Sequence, residues 1–266
     1  MGLMDLISLI GPMIIKASAI NKKQDTTMCN EEGVLSRTRL LLGDTVMERI
    51  RSARVAVFGV GGVGSWCVEG LVRSGVRHVT IVDFDRVSTS NINRQLMATV
   101  HTVGRVKVEA MKEHLLEINP SAEITAVNGR FCAGTADTFR LEDYDYIIDA
   151  IDSIDDKMLL ITKACDTRAV LFSSMGAARK LDPARIQVAE FRKVRGCPLA
   201  RTLRNRFRKA GIMPSRKFMC VFSEELLDNA GCSGEPRANG SLLHITGIFG
   251  FTLAGLVIGD IAGSGG

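Results

Sequence analysis

The stretch that decides the fold is Arg54-Val-Ala-Val-Phe-Gly-Val-Gly-Gly-Val-Gly64. A short β-branched run ends in glycines at 59, 61, 62 and 64, and Gly59, Gly61 and Gly64 fit the spacing G-x-G-x-x-G. Residues 55–58 predict a buried strand, and 62–74 the helix that follows it. Glycines let the backbone turn tightly and approach a phosphate closely, and the helix N-terminus offers unsatisfied N–H groups to the anion. About 20 residues on, His78-Val-Thr-Ile-Val-Asp83 predicts a second strand ending in an acid. That is where a ribose hydroxyl would be held. A glycine turn without a ligand is the weaker reading, because the acid stands where the fingerprint requires it. A nucleotide site is expected.

The bulk numbers fit this. The 266 residues suffice for one large α/β domain or two small ones. The composition is globular, 46% hydrophobic and 24% charged, and the net charge of +5 permits a polyanionic partner without requiring one. Cysteines stand at 29, 67, 132, 165, 197, 220 and 232, with no Cys-x-x-Cys pair. An odd count at irregular spacing argues against a disulfide framework or a zinc knuckle and for reduced, cytoplasmic thiols. Residues 3–20 are apolar but carry Asp5, Pro12 and Lys16 and lack the early positive charge of a signal peptide. Residues 1–34 are expected to be an accessory or poorly ordered segment. The apolar run 242–263 is expected to be a buried core helix, and membrane contact is not expected.

Outward from the glycine turn the pattern alternates. A polar linker covers 21–32, and a helical pattern reaches Arg51. After Asp83-Phe-Asp85 comes a polar loop with Asn91, Arg94 and Gln95, and then Val103-Gly-Arg105-Val-Lys107 opens a helix to about Asn119. Strands are expected at 124–127, 145–152 and 169–173, with a helix at 153–168 between the last two. This predicts an α/β, Rossmann-like, mostly parallel sheet with helices on both faces. Residues 35–266 form a single domain in this scheme, with a C-terminal strand and helix extension that includes strands at 185–191 and 218–223. Residues 192–217 hold ten Lys or Arg and no acid, and Leu199, Leu203 and Phe207 recur at helical spacing. A basic helical insertion is expected there. Ligands of such sheets sit outside the carboxyl ends of the strands, which puts Asp83, Asp85, Asp149, Asp152 and the glycine turn on one edge. Asp149 is expected to be a structural strand-end acid.

A nicotinamide dehydrogenase needs no Asn-x-x-Arg-Gln loop followed by a lysine-led helix. Asn91, Arg94 and Lys107 can converge on the phosphates of a nucleotide laid on the turn and neutralise a triphosphate as its α-phosphorus is attacked. A helix N-terminus disfavours cations, which makes a merely solvated Lys107 the weaker explanation. Asp152, at a nearby strand end, can hold Mg²⁺ through water.

Taken together, Gly59-Val-Gly-Gly-Val-Gly64, Asp83-Phe-Asp85, Asn91-Ile-Asn-Arg94-Gln95, Gly104-Arg-Val-Lys107 and Asp149-Ala-Ile-Asp152 resemble the ubiquitin-activating-enzyme-like superfamily. The resemblance covers roughly residues 35–180. It implies ATP binding, with Mg²⁺, and adenylation of a carboxylate. By position it assigns Gly59, Gly61, Gly62 and Gly64 to the phosphate turn, with Asp85 and Gln95 beside it. It gives Asp83 to the ribose, Asn91, Arg94 and Lys107 to the phosphates and Asp152 to magnesium. Arg37 resembles the arginine that a partner subunit lends to the triphosphate in bacterial dimers, which implies a homodimer.

Activators of sulfur-carrier proteins usually hold zinc with two Cys-x-x-Cys pairs, which are missing here. Cys197-Pro-Leu-Ala-Arg201, with Arg204, Arg208, Lys209 and Gly211-Ile212 downstream, is instead similar to the tRNA threonylcarbamoyladenosine dehydratase branch. That branch implies closure of the threonylcarbamoyl side chain of a modified adenosine into a ring. It makes Arg201, Arg204, Arg208 and Lys209 contacts to the tRNA backbone. By composition alone a solvated cationic face is the commoner explanation. A carboxylate is a poor electrophile. Adenylation makes it a mixed anhydride, which a tethered nucleophile attacks at an effective molarity on the order of 10⁵ M or more. AMP and pyrophosphate are the expected products. Two other readings stand beside this one: adenylation of the C-terminus of a ubiquitin-like sulfur carrier, and a non-catalytic nucleotide-binding scaffold. A sulfur-transfer partner would use Cys197, Cys220 or Cys232, for which small apolar or loop roles are the stronger expectation.

Overall fold

The computed structural model describes residues 31–231 and 239–263. The apolar stretch 3–20, the linker up to residue 30, Cys29 and Cys232 lie outside the described residues. The chain divides into two units, 1–37 and 38–266. In the first unit, Glu31–Val34 form a helical turn at the end of the expected linker.

The second unit begins within the helix Ser36–Leu42, and α1 (Asp44–Ser52) follows, its Met47 and Ile50 fully buried. It leads into β1 (Arg54–Phe58), buried at every position after Arg54. Burial of successive residues means that both faces of this strand are covered, as a central parallel strand requires. The elements that follow are α2 (Gly64–Arg73), β2 (His78–Asp83), α3 (Lys107–Ile118), β3 (Glu123–Asn128), β4 (Tyr146–Asp149), α4 (Ile154–Cys165) and β5 (Val170–Ser174). After them come β6 (Ile186–Glu190), α5 (Pro198–Ala210), β7 (Met219–Ser223) and α6 (Leu243–Ala262). The strand order is β3-β2-β1-β4-β5-β7-β6. All pairs are parallel except β6 with β7. The expected C-terminal strand and helix extension continues the main sheet: β7 adds to β5, and β6 closes that edge.

Ala56 and Phe58 of β1, Ile147 of β4 and Leu171 of β5 share one core with Leu160 and Ile161 of α4 and with Leu203 and Phe207 of α5. Phe191 joins it, stacked on Phe218 at 5.0 Å and edge-on to Phe207 at 6.0 Å. The apolar stripe read at 199, 203 and 207 thus anchors α5, and each large ring buried there contributes about 2 kcal/mol or more. Pro198 opens α5, and Gly211, at φ +65°, ends it. Proline suits the first helical position, and only glycine takes the left-handed cap without strain.

Helix α6 passes the length and composition test for a membrane span, yet it packs on α2 through small residues. A Cβ on Gly250 would stand 2.5 Å from the Val63 carbonyl oxygen, and one on Gly70 would stand 2.9 Å from Ala254 Cβ. Close approach of two helices explains why an apolar helix carries glycines. The expected burial holds for one face only. Ile245, Phe249, Leu253 and Val257 are fully buried, whereas Phe251 is 49% exposed.

Candidate active site

The carboxyl ends of β1, β2, β4 and β5 open onto a cleft of about 610 Å³. Its floor is the glycine turn, and each glycine there has a different reason. Gly59 has φ +87°, and a Cβ on it would lie 2.7 Å from the Ala150 carbonyl oxygen. A Cβ on Gly64 would overlap the Gly59 carbonyl oxygen. These two positions are closed to side chains by packing, and Gly64 itself does not line the cleft. Above Gly61 the space is open, with Gln95 Nε2 the nearest atom at 3.8 Å. Gly62 fits against Thr246 and the Arg94 side chain. A phosphate has room over Gly61, beside the N-terminus of α2.

The carboxylate of Asp83 accepts the Val60 N–H at 2.9 Å through one oxygen and the Asp85 N–H at 2.9 Å through the other. Each oxygen keeps a lone pair for a ribose hydroxyl. Asp85 pairs with Lys107 at 2.8 Å, and the lysine side chain is only 6% exposed. A cation at the first position of a helix opposes the helix dipole, and Asp85 compensates for it. Asn91 accepts the Ser88 N–H, which ties its loop. Arg94 donates to the Ser90 carbonyl and to Asn93 Oδ1, both at 2.9 Å. The indole of Trp66 donates to the Arg94 carbonyl, which fixes that backbone on α2. Gln95 is 6% exposed, and its Oε1 has no hydrogen-bond partner among the described residues. Asp152 lines the cleft with its carboxylate free of hydrogen bonds and ion pairs to the described residues. Among the described residues no group of three or more His, Cys, Asp or Glu forms a metal cage. A cation at Asp152 would therefore share its coordination with phosphate and water, the usual habit of Mg²⁺.

Asp83, Asp85, Asn91, Arg94, Gln95, Lys107 and Asp152 thus meet in one cleft. Arg37 is exposed on the helix Ser36–Leu42, in the N-terminal unit. Asp149 is fully buried and absent from the cleft wall, as expected of a structural acid.

Two parts of the wall escape sequence reasoning. At one end, Phe84 is 55% exposed and the Arg130 guanidinium lies 5.7 Å from its ring centroid. Asp156 holds Arg130 through a 2.7 Å hydrogen bond, which raises the guanidinium pKa above its ordinary value. The Asp83-Phe-Asp85 spacing hints at Phe84, but nothing local points to Arg130. At the other end, Ser174 closes β5, Met175, Gly176, Ala177 and Ala178 follow it, and Leu199 comes from the first turn of α5. Asn239, Ser241 and Thr246 also line the cleft, with Thr246 against Gly62 and the Ser241 carbonyl accepting from Asn93. Such small and apolar residues carry no motif.

On α5, Arg201, Arg208 and Lys209 are exposed, as a polyanion contact needs. Arg204 differs. It donates to the Phe191 carbonyl at 3.2 Å and lies 5.9 Å from the Phe191 ring centroid, so it leans back onto its own domain. Cys197 and Cys220 are buried, and desolvation pushes the Cys220 thiol well above its usual range. Neither sulfur has the accessibility that sulfur transfer requires.

Known proteins share this fold. Residues 35–258 match the ThiF family. The chain is 41% identical over 190 residues to the tRNA threonylcarbamoyladenosine dehydratase of Bacillus subtilis, covering 71% of this chain and 74% of that one. The crystal structure of the Escherichia coli tRNA N6-threonylcarbamoyladenosine dehydratase TcdA in complex with ATP matches at a TM-score of 0.79 and 31% identity. The match covers 86% of this chain and 94% of that one. The AMP complex of the same protein matches at 0.79 and 32% identity. The glycine turn, Asp83, the lysine-led helix and the seven-stranded sheet carrying them all lie within the matched span, and the chain belongs to the ThiF family.

Proposed function

We propose that this chain is an ATP-dependent tRNA threonylcarbamoyladenosine dehydratase. The observation that carries the reading is a single cleft with two ends. One holds Asp83, Lys107 and the open space over Gly61. The other is the small-walled lobe that runs to the first turn of the basic helix α5. The first end suits a nucleotide triphosphate, and the second suits a side chain carried on a polyanion. The relatives' named reaction unites the two.

In this reading Asp83 holds the ribose, and Arg94 and Lys107 bind the triphosphate over Gly61. The substrate carboxylate enters from the second lobe and attacks the α-phosphorus, and the bond to pyrophosphate breaks. Lys107 and Arg94 stabilise the charge that develops on the phosphate oxygens. The side chain's own nucleophile then attacks the mixed anhydride, loses its proton and expels AMP. The cleft has only to hold the two groups together. Asp152 would hold Mg²⁺ on the phosphates, and the cation would supply charge neutralisation there. Arg201, Arg208 and Lys209 would meet tRNA phosphates. A homodimer would let Arg37 of one copy serve the nucleotide of the other. Leu40 and Leu41, 79% and 83% exposed, offer apolar surface to such a partner.

The test is mass analysis of the modified nucleoside after incubation of tRNA with protein, ATP and magnesium. Loss of one water with release of AMP and pyrophosphate is expected. Release of ADP and phosphate alone eliminates the adenylate route. ATP–pyrophosphate exchange driven by a ubiquitin-like carrier instead of modified tRNA replaces the substrate.

A further inference from the structure

Behind the cleft, and outside its wall, lies an ion pair with no solvent exposure. Lys157 Nζ and Asp149 Oδ2 are 2.8 Å apart, and both side chains are 0% exposed. The same Asp149 oxygen accepts the Ser173 hydroxyl at 2.7 Å. The partners come from three neighbouring elements, β4, α4 and β5. Their common target is one residue. Asp149 Oδ1 accepts the Ile151 N–H at 3.2 Å, and Lys157 donates to the Ile151 carbonyl at 3.1 Å. Both backbone polar groups of Ile151 are thereby held by the pair.

Ile151 sits between two pieces of the nucleotide site. On one side the Ala150 carbonyl presses on Gly59, where no Cβ fits. On the other the Ile151 carbonyl leads directly into Asp152. Helix α4 begins here with Ser153 as its N-cap, and that side chain makes no capping bond. The start of α4 is thus pinned from within, by Lys157, instead of by a cap.

A buried ion pair is an expensive way to stabilise a fold. Desolvation of the two charges offsets their attraction, and apolar residues of equal volume often serve as well. What the pair supplies here is a single geometry for a three-residue turn. We infer that Asp149 and Lys157 are positioning residues, which set the Asp152 carboxylate and the Ala150–Gly59 contact in register with the nucleotide phosphates. The inference rests on the reading of the cleft as an ATP site. It assigns the pair no contact with substrate, and neither residue lines the cleft.

The experiment compares wild type, Lys157→Arg, Ser173→Ala and the double variant Asp149→Leu/Lys157→Met, which leaves no lone buried charge. Four quantities are measured: melting temperature, amide exchange at Ile151 and Asp152 in protein free of nucleotide and metal, calorimetric ATP affinity with and without magnesium, and turnover of modified tRNA. In the double variant, amide exchange at 151 and 152 rises at least tenfold while the melting temperature stays near wild type. ATP binding without magnesium stays within about threefold, the half-saturating magnesium concentration rises, and kcat falls about 10²-fold, the usual consequence of a misplaced group. Lys157→Arg restores most of the loss. Ser173→Ala shows a smaller change in the same direction, and its result decides between the outcomes should the double variant not fold. Unchanged exchange at 151 and 152, or an unaltered magnesium requirement and kcat in variants with faster exchange, overturns the inference. So does a deficit confined to melting temperature. If wild type itself binds no ATP or leaves modified tRNA unaltered, the functional reading has failed, and the exchange data still report whether the pair holds the turn.

Discussion

The two ends of the cleft are built on opposite principles. At the nucleotide end nearly every charged group is already engaged inside the protein. Asp83 holds two backbone N–H groups, Lys107 faces Asp85, and Arg94 is tied to its own loop. At the other end the wall is small and neutral, from Gly176, Ala177, Ala178 and Leu199. Its order comes from behind. Arg179, at φ +61°, donates to Leu227 and pairs with Asp228, and the buried Lys180 donates to the Ser223 and Glu225 carbonyls. A non-glycine residue in the left-handed region persists only when its surroundings over-determine it. Preorganised charge suits chemistry on phosphates. A plain wall with a rigid backing suits a bulky substrate admitted by shape.

Substitutions break this contrast in descending order. Lys107→Ala removes a preorganised cation from the reacting phosphates and leaves Asp85 unpaired. Its kcat is expected to fall about 10²–10³-fold with circular dichroism unchanged. Gly176→Phe fills the second lobe. Turnover of modified tRNA should fall at least about tenfold, while calorimetry finds ATP affinity intact. Gly176→Ala is harmless, because its Cβ meets Leu199 at an ordinary 3.7 Å. If both ends lose affinity together, the two-lobe division is wrong. Arg201→Glu with Arg208→Glu should weaken tRNA binding and flatten its salt dependence by about one unit of slope per lost phosphate contact. ATP binding should not change. Arg130→Ala should raise the ATP KM about three- to tenfold at constant kcat, because Phe84 on the cleft wall loses its cation–π partner.

The smallest effect concerns the scaffold beneath the nucleotide end. Burial of Glu69 on α2 would raise its pKa, but hydrogen bonds from His114 and Arg73 bring it below the usual carboxylate range. A depressed folded pKa stabilises above the unfolded value, and that stability is lost as pH falls through the folded one. Glu69→Gln should therefore lower the melting temperature at neutral pH, and the deficit should shrink on acidification. A pH-independent deficit would assign the effect to packing alone.

Legibility in the sequence follows the same division. The glycine turn, the acid at 83, the loop at 91–95 and the lysine at 107 are contiguous motifs, since phosphate contact demands particular residues at particular backbone positions. The basic helix is readable from charge and period, yet the inward turn of Arg204 is not, because it depends on where Phe191 comes to lie. Arg130 escapes a linear reading because its value comes from Phe84 and Asp156, distant in the chain. The stretches 185–191 and 218–223 are legible as strands, but their place in the main sheet depends on pairing partners that a linear pattern does not name.

The amino-acid order alone determined the α/β class, the glycine turn and the cations that gather beside it, because these obey local rules of backbone freedom and periodicity. Only the tertiary structure decided that the second lobe exists, which arginines of α5 face outward, and that Asp149 and Lys157 are buried together. Those features arise where separate elements meet, and the energy of a buried charge is set by neighbours that the chain brings near only when folded.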